Sequence, residues 1–365
     1  MKFGSITDGY GNPISGGGGG TFTTYWIPNY IFWEDTSVVA PLAQAPVFRV
    51  GSILYMFGGT NGTVSNKIYS APYDATGTVP VFVDTGAVMP SAAMALRLAL
   101  IDNTLYTFGN MNGSTPITAI WSAPLSAPTN WTTTGSSIPQ RRDDSQLVVA
   151  NGSIMMYKGY SGSGGYNDIL YTSTSTPTSG WTNTALQGGS AWQCGFYYNS
   201  GKLVAYGGFQ ATTEIRVGTY GTGVSWPSLP NSVSTLPVTD NTPETFISDE
   251  VFYTGYNNGT GVNASIVGSE SSSSWNIYST ALPGSVSYIY GCSWIGGDGR
   301  AYLISPTNRH IYRSARKKVY VPFNVQAIGP YSGLIGQLDD GTPSFVSSHV
   351  LMGNRPWLTN LVTAY

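Results

Sequence analysis

Seven times along this chain a short run of alternating apolar residues ends in small or hydroxyl side chains. The clearest copies are Lys67-Ile68-Tyr69-Ser70-Ala71-Pro72 and Ala119-Ile120-Trp121-Ser122-Ala123-Pro124. Weaker ones begin at Ile169, Ile215, Ala264 and His310, and the last is Asn360-Leu361-Val362-Thr363-Ala364-Tyr365. After the first six, another strand-like segment follows with an aromatic: Phe82, Trp131, Trp181, Trp226, Trp275 and Tyr320. Nothing follows Tyr365, yet Tyr30-Ile31-Phe32-Trp33-Glu34-Asp35-Thr36 has the character of the missing segment. Counted from Trp33, the aromatics recur every 45–50 residues. A repeat of that length is the signature of a propeller blade. A first segment that completes the last unit turns the row into a ring.

A second series has the same period. It comprises Ile53–Gly59, Thr104–Gly109, Ile154–Tyr157, Leu203–Gly208, Val251–Gly255, Ala301–Ile304 and Ser344–Val346, each after a turn such as Gly51-Ser52, Asp102-Asn103, Asn151-Gly152 or Asp298-Gly299. Asn, Asp and Gly supply the positive φ that tight hairpins require. Four short strands per unit predict an all-β chain: a seven-bladed β-propeller closed by the N-terminal strand completing the C-terminal blade. Six blades plus appendages is the alternative. Residues 25–365 form this single domain, and 1–24 form a Gly-rich arm in which Gly16 to Gly20 run in succession. Ala92–Leu98 has helical character locally, but the register assigns a strand from about 95 to 101.

Composition narrows the function. Charged residues make up 9% of the chain, against about 25% in ordinary domains, and the net charge of −2 argues against a nucleic-acid surface. No run of 18 apolar residues predicts a membrane span. The N-terminus has no apolar h-region, so classical secretion is not expected. Cys194 and Cys292 fall two units apart and predict two buried free thiols. Two histidines, His310 and His349, leave a histidine metal site or a serine triad little to work with. Asp143, Asp144, Asp240, Glu244 and Glu250 show no spacing that singles out a glycosidase pair. The expectation is therefore no enzyme, no cofactor and no metal.

Three groups of side chains are candidates for contact. Loops between second and third strands carry Tyr160, Tyr166, Phe209 and Tyr256 among Asn, Gly and Ser; they read either as polar filler or as a sugar-binding face. Gln140-Arg141-Arg142-Asp143-Asp144, the densest mixed charge, reads either as rim ion pairs or as the lining of a central funnel, so Arg141 and Arg142 join the candidate ligand site. Arg309 to Lys318 holds five of the 16 Lys and Arg residues. There Arg313, Arg316, Lys317 and Lys318 read either as an edge guarded by charge or as a docking patch for an acidic partner.

The Gly58-Gly59 and Gly207-Gly208 doublets, followed in each unit by an aromatic, resemble kelch propellers. The turns Ser122-Ala123-Pro124 to Trp131, Ser173-Thr174 to Trp181 and Ser269-Glu270-Ser271 to Trp275 resemble sialidase Asp-box turns that lack the aspartate. Those turns are structural, so this likeness implies fold only. A charge-poor propeller with an unprocessed glycine-rich arm resembles tail, fibre or head-decoration proteins of tailed bacteriophages. The resemblance implies a structural virion protein, made in a host cytoplasm and docked on other virion proteins through Phe3, Ile6, Tyr10 and Ile14. A carbohydrate-binding propeller for host-surface glycans is the alternative, and a glycan-cleaving enzyme comes third.

Overall fold

In the computed structural model the described residues are 22–113, 115–184, 192, 194–199, 202–206, 208, 215–219, 245–247, 251–257, 260–268, 275–278, 292–322, 334–338 and 343–346. Among them every regular element is a strand. β1 (Phe22–Val39) precedes a first sheet of β2 (Val47–Val50), β3 (Ile53–Thr60), β4 (Val64–Pro72) and β5 (Val83–Val88), ordered as in the chain. The second sheet is β6 (Arg97–Ile101), β7 (Thr104–Phe108), β10 (Ala119–Pro124) and β11 (Thr132–Ser137), with a hairpin of β8 (Asn110–Asn112) and β9 (Thr115–Ile117) in its loop. The third is β12 (Gln146–Ala150), β13 (Ser153–Tyr157), β14 (Ile169–Ser173) and β15 (Thr182–Asn183). A fourth holds β16 (Gly195–Asn199), β17 (Lys202–Tyr206) and β18 (Ile215–Thr219). A fifth holds β19 (Thr245–Ile247), β20 (Val251–Asn257), β21 (Thr260–Gly268) and β22 (Trp275–Tyr278).

The sixth sheet decides how the chain closes. It runs β23 (Ser293–Ile295), β24 (Ala301–Ile304), β25 (His310–Pro322), and β1 lies antiparallel on β25 from Phe22↔Pro322 to Val39↔His310. The sequence reading placed this strand against 361–365, which lie outside the described residues. Its partner is β25, because that strand runs on through the basic residues to Pro322 and offers β1 a long ladder. The N-terminal strand is thus an outer strand of a late unit, as expected, but of the sixth repeat. The seventh repeat's second-strand segment, Ser344–Val346, lies in β27 (Pro343–Val346), paired to β26 (Leu334–Leu338), and β26 pairs in turn with the far half of β25.

The core sits in the seams between sheets. Trp131, just before β11, meets Phe57 of the first sheet at 5.3 Å and 72°. Trp181, just before β15, meets Phe108 of the second at 5.4 Å and 65°. Phe82, just before β5, meets Trp294 of the sixth at 6.0 Å and 85°. Each of these three aromatics is thus a wedge driven edge-on into the preceding sheet, an orientation favoured by the ring quadrupole. The first and sixth sheets share one buried cluster containing Leu42, Met56, Phe82, Trp294, Leu303 and Ile311. The Ala45 N–H donates to Cys292 Sγ at 2.8 Å across this seam. Both cysteines are buried and neither forms a disulfide, as expected.

The turn chemistry also follows the sequence reading. Asp102 and Asn103 have φ of 45° and 61°, and Asn151 and Gly152 have 47° and 74°. The glycine doublet has a different purpose. A Cβ on Gly58 would strike the Ala93 carbonyl of the next sheet's incoming linker, and one on Gly59 would lie 2.6 Å from the carbonyl of Ala43 in its own linker. Two linkers cross there, and only glycine leaves room.

Candidate functional site

Those linker crossings define equivalent positions in the first three sheets. The isolated bridges Ala43↔Thr60, Met94↔Met111 and Asp143↔Tyr160 tie each linker to a residue at or just past the end of its unit's second strand. The residue after the bridge is left-handed in all three: Gln44, Ala95 and Asp144 at φ 53°, 55° and 56°. The slot filled by Gly58 and Gly109, at φ 57° and 65°, holds Lys158 at φ 50° in the third sheet. Reading back from the bridge, Leu42 and Ala93 correspond to Arg142, and Pro41 and Ala92 to Arg141. The third unit therefore carries charge where its siblings carry small or apolar residues.

Arg142 is fully buried and tightly held. Its Nη2 donates to Asp168 Oδ1 at 2.6 Å and to Gln140 Oε1 at 2.9 Å, and its Nη1 to the Lys158 carbonyl at 3.0 Å. The guanidinium lies 4.2 Å over the Tyr166 ring. Burial draws its pKa below the usual arginine range, against the pull of Asp168. A buried pair of this kind is expensive to break but modest in net stability.

Asp143 is 1% exposed. One oxygen accepts from Arg141 Nε at 3.1 Å, while Oδ1 has no hydrogen-bond partner among the described residues. Burial pushes this carboxyl up to about 6, with Arg141 pulling the other way and Asp144 adding to the rise. The native protein therefore holds this proton more tightly than the unfolded chain does, and stability falls as pH rises from about 4 to about 6. Asp143→Asn is expected to be more stable than wild type near pH 7.5 by on the order of 1–3 kcal/mol, an advantage that fades as the pH drops toward 4. Melting curves across that range check it; a less stable variant at pH 7.5 would mean that the Arg141 contact outweighs burial.

Tyr160 stands beside Asp143 through their backbone bridge, and its ring lies 5.0 Å from that of Trp192, which precedes the fourth sheet. The Tyr160 hydroxyl donates to the Gly162 carbonyl at 2.8 Å, and the Arg141 guanidinium packs on Gly162. Both rings are half-buried. The corner thus joins an aromatic pair, a partly exposed arginine and a buried carboxylate on one loop face.

No protein-family model matches the chain, and no curated protein matches it in sequence. Among solved structures, that of YjhT aligns with a TM-score of 0.55 and 14% identity, covering 86% of this chain and 99% of that one. The fold resembles a β-propeller. At that identity the likeness concerns architecture, not chemistry.

The propeller gathers some of the expected site residues and separates others. Arg141, Arg142, Tyr160 and Tyr166 do come together, but Arg142 and Tyr166 are engaged with each other. Tyr256 falls within β20 rather than in a loop, and its side chain, like all of Phe209, lies outside the described residues. Phe3, Ile6, Tyr10 and Ile14 also lie outside them. Arg313 is not a free docking cation: it pairs with Glu34 of β1 and donates to the Gly77 carbonyl at 2.9 Å, because β1 covers the strand expected to be an edge. Arg316 donates to the Asp298 carbonyl at 3.2 Å. Lys317 and Lys318 pair through their backbones with Ile27 and Trp26. Sequence reasoning missed Lys158, Asp168 and Trp192; only Lys158 had a usable signal, its alignment with Gly58 and Gly109.

Proposed function

We propose that this chain is a non-catalytic structural component of a tailed-bacteriophage particle, tail, fibre or capsid-associated, docked through the segment that precedes β1. The observation that carries this reading is the position of β1. As an outer strand of the sixth sheet it begins at Phe22, opposite Pro322 and just beyond the basic stretch of β25, and residues 1–21 precede it in the chain. A segment leaving from there can engage a neighbour without opening the ring. The low charge of the chain suits life outside a cell. We read the ring itself as six units rather than seven, since Phe82 enters the sixth sheet as Trp131 enters the first. Mass spectrometry of purified particles tests the assignment, together with rebinding of full-length and 1–21-deleted protein to particles lacking it. The reading fails if the protein is absent from the particles, or if the truncated chain rebinds equally well.

The half-exposed Tyr160–Trp192 pair beside Arg141 favours a second reading, recognition of a host-surface glycan. Aromatic faces next to hydrogen-bonding groups suit sugar rings. A glycan array is expected to show binding that Tyr160→Ala abolishes; an array blank for wild type would remove this reading and leave the first intact.

A further inference from the structure

Lys158 is the residue of this corner that packing does not explain. It is 1% exposed and left-handed, in a slot where two sibling sheets use glycine. Its ammonium lies 5.2 Å from the Tyr157 ring, but no carboxylate among the described residues is paired with it. A left-handed backbone is unfavourable for a residue with a side chain, so a lysine in this slot calls for a reason. A neighbouring cation has an unused donor. Arg142, bonded to the Lys158 carbonyl, has a buried Nε–H without an acceptor. Arg141 adds a third cation on the same linker, where the first two sheets carry Pro41 and Ala92.

We propose that this corner is an oxyanion-binding site in which Lys158, with Arg142 Nε and Arg141, holds a phosphate, sulfate or carboxylate group. Exclusion of water strengthens such charge pairs, because the local dielectric is low. Asp143 Oδ1, also without a partner, supplies an acceptor in the same corner. It favours an anion that brings a proton or hydroxyl of its own, as hydrogenphosphate and sugar acids do, over sulfate, which has nothing to donate. The anion can be free or carried on a sugar, and the proposal stands independently of the particle assignment.

Titration calorimetry of the full chain at low salt, with phosphate, sulfate and glucuronate separately, tests it. Saturable binding is expected for phosphate or glucuronate, with sulfate weaker; a preference for glucuronate would point to a sugar-borne anion and one for phosphate to a free ion. Lys158→Gly restores the sibling residue and relieves the backbone, so it is expected to melt no lower than wild type while binding at least ~10-fold more weakly, about 1.4 kcal/mol. No saturable binding of any of the three to wild type would overturn the proposal. So would undiminished binding by Lys158→Gly. A large fall in that variant's melting temperature would instead make Lys158 a packing residue, equally against the proposal.

Discussion

Deleting residues 1–39 is expected to abolish the cooperative melting transition or to yield aggregated protein, whereas deleting 1–21 leaves the transition nearly unchanged. The longer deletion removes β1, and with it the ladder along β25, the Glu34–Arg313 ion pair, the Asp35–His310 hydrogen bond and the 2.6 Å hydrogen bond from the Thr36 hydroxyl to the Ile311 carbonyl. It also bares the long edge of β25, the kind of unpaired edge that templates aggregation. Trp33 and Val38 leave the seam between the sixth and first sheets. The loss is comparable with the whole stability of an ordinary domain, about 5–15 kcal/mol. Scanning calorimetry and light scattering distinguish the outcomes. A 1–39 deletion that melts like wild type would show that β1 is an accessory and that the ring closes some other way.

Phe82→Ala is expected to destabilise the protein as much as Trp131→Ala does, each by about 3–5 kcal/mol. The two residues are the same wedge in different seams: Trp131 against Phe57, and Phe82 against Trp294. In an open row of units the seam between the first and sixth sheets would not exist, and Phe82 would be a half-covered edge residue whose loss mattered little. Chemical denaturation of both variants beside wild type makes the comparison. A Phe82→Ala penalty below about 1 kcal/mol, the usual range for surface changes, would argue against a closed ring of six.

The period, the hairpin turns and the recurrence of the aromatics were legible because each is a local consequence of local chemistry; that the aromatics pack between sheets was not. Asp102-Asn103 and Asn151-Gly152 announce left-handed turns whatever surrounds them. The need for a closing N-terminal strand was legible too, since Trp33 fits the aromatic series. Its partner was not. The alternating pattern at 361–365 resembles that at 310–313, and alternation says which residues share a face, not which strand lies alongside. The basic run Arg316-Lys317-Lys318 masked the continuation of β25 by reading as a surface patch. At the candidate site, Arg141, Arg142 and Asp143 stood out as concentrated charge, but their division of labour depends on burial. Arg142 is consumed by Asp168, 26 residues away in sequence. Lys158 was passed over as a solitary lysine after a strand, although its alignment with Gly58 and Gly109 was there to see; the bridges and backbone angles place it in a glycine's slot.

The pairing of β1 with β25 also orders events during synthesis. Thr36 and its partner Ile311 are 275 residues apart, so at about 5–20 residues per second the ribosome needs roughly 15–55 s to deliver one after the other. For that interval the earliest strand, with Phe32, Trp33, Val38 and Val39, has no mate while the sheets behind it are being completed. The nascent chain is therefore sticky along β1 until β25 has been made. Heat or slowed elongation lengthens the exposure, and a strand from a second nascent chain on the same message is the nearest competitor for β25. Yield in the cell is thus governed by how long the first strand waits as well as by how stable the finished ring is.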